Sequence, residues 1–240
     1  MNAAALRRAK TYPYPAPDGS YVLEHGGHRE LTDGTPVPGL DGRAPVLAVG
    51  SNRAPEQLAR KFAPLGGATI PVTRARLADF DAVYSAHFAS YGAIPATLQH
   101  APRTTAALSV TWLTAPQLVR MHETEMVTEN YAFGELMGVQ LETAGRVLGR
   151  VFAYVSRRGC LTDAGRPVAL AEVAAEGRRW PALTQEEILG RARDRLAPQH
   201  SLDEFVGAAI AQTGTRAART KALAAQAQPF AYETFRAITV

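Results

Sequence analysis

Val46-Leu47-Ala48-Val49-Gly50-Ser51-Asn52 is an apolar run of four residues that stops on a glycine-led polar triplet. So short a run, bounded by a turn signal, predicts a buried strand entering a tight loop. Pro55 near a first helical turn predicts a short helix over 55–62 directly behind the loop. Gly50 permits close backbone approach. The amides after it, with the Ser51 hydroxyl and the Asn52 carboxamide, form a donor-rich nest suited to a carboxylate or an oxyanion. The same triplet is also an ordinary turn.

Working outward, residues 1–44 are rich in Gly, Pro and Asp, and Pro13, Pro15, Pro36 and Pro38 interrupt regular structure. They predict an extended arm with one short hairpin over 21–31. Partial alternation over 77–88 predicts a strand, and 94–99 and 106–113 predict two more. Residues 116–126 fit a helix; 131–142 and 147–155 fit strands joined at Ala144-Gly145. Thr184-Gln185-Glu186-Glu187 and Ser201-Leu202-Asp203-Glu204 match the capping-box pattern and open two helices. A third helix is expected over 215–227. Three regions follow: an arm over 1–44, a strand-rich domain over 45–158 and a helical extension over 159–240.

Composition narrows the function classes. In 240 residues, 46% are hydrophobic and 20% charged, close to ordinary globular usage. A net charge of +4 without a basic stripe argues against a nucleic-acid partner and suits a small anionic substrate. A single cysteine, Cys160, permits no internal disulfide. No apolar stretch reaches the ~18 residues of a membrane span, and no apolar region follows Arg7, Arg8 and Lys10. A cytoplasmic protein with no membrane partner is expected.

The helix over 116–126 carries the other candidate residue. At about 100° per residue, Leu118, Met121, His122 and Glu125 share one stripe, while Glu123 turns towards Arg120 and solvent. One carboxylate thus faces inward. Desolvation is expected to raise its pKa towards neutrality, as a base working near pH 7 requires. A partly exposed helix-end position, or pairing with an arginine, is the alternative.

Together these two features resemble the γ-glutamylcyclotransferase-like (AIG2-like) family. Its signature is a Tyr-Gly-Ser-Asn loop after the first strand and a Leu-Asp-x-x-Glu-Gly segment on a later helix. Val49-Gly50-Ser51-Asn52 stands at the first motif and Met121-His122-Glu123-Thr124-Glu125-Met126 at the second. Arg76-Leu77-Ala78-Asp79-Phe80 and Ile94-Pro95-Ala96-Thr97-Leu98 resemble intervening strands, and Tyr131 falls where the family has a Tyr opening the next strand. The similarity spans about residues 45–158. Val49, His122 and Met126 depart from the signature Tyr, Asp and Gly.

The resemblance implies an α+β fold: a small mixed β-barrel with peripheral helices and a helical C-terminal extension. It implies release of 5-oxoproline from a γ-glutamyl amine or peptide by intramolecular aminolysis. Glu125 would be the acid/base, and Val49, Gly50, Ser51, Asn52 and Tyr131 would bind the small-molecule substrate, with neither cofactor nor metal. The departures favour a rival: a non-catalytic binding or interaction protein that keeps the barrel. The substrate and the oligomeric state stay open.

Other signals are weaker. His122-Glu123-Thr124-Glu125-Met126 lacks the second His of a zincin. Ser51 lacks a G-x-S-x-G elbow. His25-Gly26-Gly27-His28 reads as a polar loop. Arg157 and Arg158 beside Cys160 would lower its pKa, though a lone thiol is the ordinary reading. Arg216, Arg219 and Lys221 recur at helical spacing, as on a solvated face or a contact surface.

Overall fold

A computed structural model describes residues 2–24, 27–32, 34–126 and 129–239. His25 and Gly26 of the polar loop lie outside the described residues. The chain is mixed α+β and closes a five-stranded barrel. In chain order the elements are α1 (Ala3–Lys10), β1 (Tyr21–Glu24), β2 (Gly27–Glu30), β3 (Ala44–Ala48), α2 (Pro55–Phe62), β4 (Ile70–Tyr84), β5 (Ala96–Leu113), α3 (Ala115–Glu125), β6 (Tyr131–Thr143) and β7 (Arg146–Ser156). The short strands β8 (Thr162–Asp163), β9 (Arg166–Pro167), β10 (Ala169–Leu170), β11 (Ala175–Glu176) and β12 (Ala182–Leu183) follow. Then come α4 (Gln185–Leu196), α5 (Leu202–Ala211), α6 (Thr213–Ala224) and β13 (Phe235–Ala237).

β3 closes the barrel. It runs antiparallel to β5, from Ala44 opposite Leu113 to Ala48 opposite Ser109. On its other side it pairs in parallel with β7 at Val46–Phe152. β5 pairs with β4, β4 with β6, and β6 with β7, all antiparallel. The β6–β7 hairpin turns at Ala144 and Gly145 with φ of 48° and 71°, the primed geometry that matches strand twist. A five-stranded ring is too narrow to hold a lumen, so side chains fill it. Alternation along β3 sends Leu47 and Val49 into the main core and Val46 into a second cluster with Leu58, Phe62 and Met121. α2 and α3 are therefore clamped to one flank of the barrel by apolar contacts. Leu58 and Met121 are fully buried, and burying such side chains stabilises by about 1.5–3 kcal/mol each.

Three departures from the sequence expectations have identifiable causes. The strands expected over 94–99 and 106–113 are one strand, β5, because a bulge absorbs Pro102. Asp79 and Arg103 adopt φ of 63° and 70°, the register shifts between Ala78 and Phe80, and the Arg103 N–H donates to Asp79 Oδ1 at 2.7 Å. Bulges are among the few sheet positions that tolerate proline. β4 starts at Ile70 rather than at residue 77, because its first residues pair with β1. The arm is partly helical: α1 is capped by Asn2, whose side chain accepts from the Ala4 N–H at 2.9 Å. It docks on α5, where Lys10 meets Asp203 at 2.5 Å.

Beyond the barrel, Thr184 and Ser201 cap α4 and α5 through reciprocal bonds with Glu187 and Glu204. β13 returns the chain to the barrel by pairing with β6. Asp81, wholly buried on β4, accepts from Arg178 Nε and Nη2 at 2.9 Å each, tying the segment after β11 to the wall. Among the described residues no helix is long and apolar enough to cross a membrane.

Candidate functional site

Gly50, two residues past β3, lies where the chain passes too close to other groups for a side chain. A Cβ on it would collide with the Tyr12 hydroxyl and sit 2.9 Å from the Ala96 Cβ. The next residues form a single 3-10 turn, in which the Arg53 N–H bonds back to the Gly50 carbonyl at 3.1 Å. That turn aims Asn52 across to α3. Asn52 Nδ2 donates to Glu125 Oε1 at 3.0 Å, and its Oδ1 accepts from Lys61 Nζ at 2.8 Å. Lys61, at the end of α2, also contacts Glu125 Oε1 directly, completing a triangle of lysine, carboxamide and carboxylate. Met121 lies under it, its Sδ 3.8 Å from Asn52 Nδ2. Glu123 points away and pairs with Arg120 at 2.8 Å, as the helical spacing requires.

The Glu125 carboxyl titrates in the direction opposite to expectation. Burial pushes it up, but the Lys61 charge and hydrogen bond, with that of Asn52, outweigh burial and hold it below the ordinary carboxylate value. A charged partner within hydrogen-bond reach stabilises the ionised form more than partial desolvation costs it.

The triangle lines a cavity of about 1070 Å³ between the barrel mouth, α1, α2 and α6. All of Val49, Gly50, Ser51, Asn52, Glu125 and Tyr131 line it, so the residues singled out from the two motifs converge on one space. Their roles differ in detail. Val49 is buried with the main core. Tyr131 donates its hydroxyl to the Ala96 carbonyl at 2.9 Å. The Tyr12 hydroxyl packs against the glycine turn, where its oxygen accepts from the Ala96 N–H at 2.8 Å. The arm thus delivers a phenol onto the turn. Burial pushes the Tyr12, Tyr91 and Tyr131 hydroxyls up, so each is a neutral donor at pH 7.

Sequence reasoning missed Lys61, Tyr12 and His87. Lys61 is a helix-end lysine like any other, and nothing local marks it as half of a pair. Tyr12 sits among prolines that signalled only an irregular arm. His87 lies just past β4, 2% exposed, with Nδ1 at 2.6 Å from Ser85 Oγ and its ring edge-on to Tyr131. His122 bonds to the Tyr154 hydroxyl at 2.7 Å through Nδ1. Among the described residues no three His, Cys, Asp or Glu side chains gather as a metal site would require. Cys160 is buried, and burial pushes its thiol up to about 11, against the lowering anticipated from Arg157 and Arg158.

The chemical capacity of the site is proton transfer and anion stabilisation: one ionised carboxylate, one ammonium, a carboxamide and several neutral phenols. Compared with models of protein families, with curated proteins and with solved structures, the chain matches nothing in any of the three.

Proposed function

We propose that the protein is a γ-glutamylcyclotransferase-like enzyme that releases 5-oxoproline from a γ-glutamyl amine or peptide, on a barrel of that family's type, with Glu125 as acid/base. One observation carries this: the Glu125 carboxylate, inside a cavity, is hydrogen-bonded to Asn52 of the glycine-led turn. The two short motifs that suggested the chemistry from sequence thereby meet through their side chains.

In this reaction the substrate's α-amine attacks its own γ-carbonyl carbon. Ionised Glu125 takes a proton from the attacking ammonium, the tetrahedral centre forms, and the protonated carboxyl delivers the proton to the leaving nitrogen as the C–N bond breaks. Two protons pass in all from the attacking to the leaving nitrogen, so total charge is conserved. Nucleophile and electrophile share one molecule, and holding them in contact supplies much of the rate. Lys61, its side chain only 10% exposed, would stabilise the oxyanion as a fixed charge. Incubation with a panel of γ-glutamyl amines and peptides, followed by assay of 5-oxoproline, tests the proposal; no product from any member overturns it.

A second reading, a binding protein without turnover, draws support from Tyr12, whose hydroxyl takes up the Ala96 amide and packs against Gly50. It expects saturable binding of a γ-glutamyl amine with no 5-oxoproline formed.

A further inference from the structure

Beyond the Glu125 triangle and Arg120, which pairs with Glu123, the cavity is ringed by five cations from three helices and one loop: Arg8 on α1, Arg60 on α2, Arg158 after β7, and Arg216 and Lys221 on α6. Glu125 is the one carboxylate among the described residues lining the same cavity, and Lys61 already takes its charge. None of the five is within ion-pair distance of a carboxylate among the described residues.

Neutral partners orient several of them. Arg8 donates to the Tyr14 hydroxyl at 3.3 Å and lies over the Tyr91 ring at 4.9 Å. Arg158 donates to Asn130 Oδ1 at 3.1 Å, and Arg216 to the Ala209 carbonyl at 2.8 Å. The helical recurrence noted in sequence splits accordingly. Arg219 turns into the fold, donating to the Phe205 carbonyl at 2.6 Å, whereas Arg216 and Lys221 face the cavity.

Like charges gathered around a concavity repel one another and focus a positive potential into it. The chain carries 26 basic against 22 acidic residues, so this imbalance is local rather than a property of the whole surface. Guanidinium groups match phosphate and carboxylate oxygens in paired hydrogen bonds.

We propose that this outer part of the cavity is a binding site for a multiply charged anionic group, a phosphate ester or clustered carboxylates. Placing that group on the amine that leaves rests on the proton-shuttle role of Glu125; the anion site itself does not. The small substrate is then a γ-glutamyl amine whose amine half is polyanionic, with its γ-glutamyl half at the triangle.

Isothermal titration of the full chain with pyrophosphate and with tricarballylate, at constant ionic strength, tests the site without any turnover. Binding of either supports it, and the tighter one tells phosphate from carboxylate recognition. Arg158→Glu and Lys221→Glu, both exposed side chains, are expected to weaken binding at least tenfold each while circular dichroism is unchanged. Arg158→Gln and Lys221→Met, which remove charge without reversing it, are expected to weaken it less. Where 5-oxoproline is formed, the same variants raise KM for substrates with an anionic amine half and leave KM for neutral ones alone. Affinity no greater than for chloride, or binding indifferent to both charge reversals, overturns the site. Loss of turnover in a Glu125 variant that still binds pyrophosphate leaves it standing.

Discussion

Lys61 at the end of α2 and Glu125 at the end of α3 form an ion pair within the cavity wall, their side chains only 10% and 15% exposed. The pair joins two helices that also meet through apolar contacts and through Arg120, whose Nε donates to the Lys61 carbonyl at 2.7 Å, and it sets the charge state of the carboxylate. A carboxyl whose folded pKa is depressed contributes stability that is present above its unfolded pKa of about 4.3 and lost as pH falls through the folded value. Lys61→Met removes the charge and leaves burial as the dominant influence, so the Glu125 pKa is expected to rise above the ordinary range. Breaking a buried pair costs about 3–5 kcal/mol, because the surviving charge is left desolvated. Urea unfolding at pH 7 and carbon NMR titration of the carboxyl measure the two effects. The Lys61→Met/Glu125→Gln double variant is expected to be less destabilised than the sum of the singles.

Glu125→Gln keeps the Asn52 contact and the side-chain volume but removes the proton acceptor. Positioned acid/base groups contribute about 10²–10⁴-fold, and here one group serves both transfers. A fall of at least a thousandfold in 5-oxoproline release is expected, with substrate affinity within a few fold. Undiminished release by a correctly folded Gln variant would falsify the shuttle assignment.

The first barrel strand and the two helices that carry the triangle were legible because their signals are local, whereas closure into a barrel was implied only by the family resemblance. The apolar run ending at Gly50 and the proline-led start of α2 need no partner to be recognised. Neither do the capping boxes at Thr184 and Ser201. Glu125 could be placed on an inward stripe from helical periodicity alone. Its titration could not, since the deciding charge lies 64 residues away on another helix. The β5 bulge, the Tyr12 phenol on the glycine turn and the division of Arg216 from Arg219 likewise arise only when distant segments pack. The short α1, which lies just before a stretch rich in proline and glycine, buries only Ala9 and is placed by α5 rather than by its own pattern.

The meeting of Tyr12 with the Gly50 turn makes the arm part of the site. Tyr12→Phe leaves the Ala96 amide without an acceptor, and a buried unsatisfied donor costs about 1–3 kcal/mol. Gly50→Ala drives a methyl into the phenol oxygen and is expected to cost about as much or more, by forcing the arm outward. The two changes are expected to be non-additive, because removing the hydroxyl opens space for the methyl. Thermal melts of the three variants measure this; strictly additive losses would argue against the contact.

Arg178→Met separates fold from site. Asp81 is fully buried and relies on that guanidinium, so the variant is expected to lose about 3–5 kcal/mol, whereas Asp81→Asn/Arg178→Met together lose less. Neither residue lines the cavity, so pyrophosphate affinity under native conditions is expected to match the parent. Chemical unfolding and titration calorimetry on the same samples read the two effects independently.

His87 gives the protein an acid sensitivity of its own. Ser85 directs its hydroxyl proton to Ser156 Oγ at 2.7 Å, so the 2.6 Å contact at His87 Nδ1 is a donation from the ring. Nδ1–H is thus engaged by the serine pair, which leaves Nε2 as the nitrogen that a proton would join. Burial, and secondarily the Arg158 charge, push its pKa down to about 3. Between about 6.5, where an unfolded histidine titrates, and about 3, the unfolded chain binds a proton that the folded chain refuses. Stability therefore falls as pH falls through that window, by up to about 1.4 kcal/mol per pH unit from this group. His87→Gln keeps a polar side chain beside Ser85 but cannot titrate, so it is expected to flatten the stability profile between pH 6.5 and 4. Urea midpoints at pH 7, 6, 5 and 4 for parent and variant measure this; parallel profiles would mean that His87 is already protonated in the folded protein, and the neutral assignment would fail.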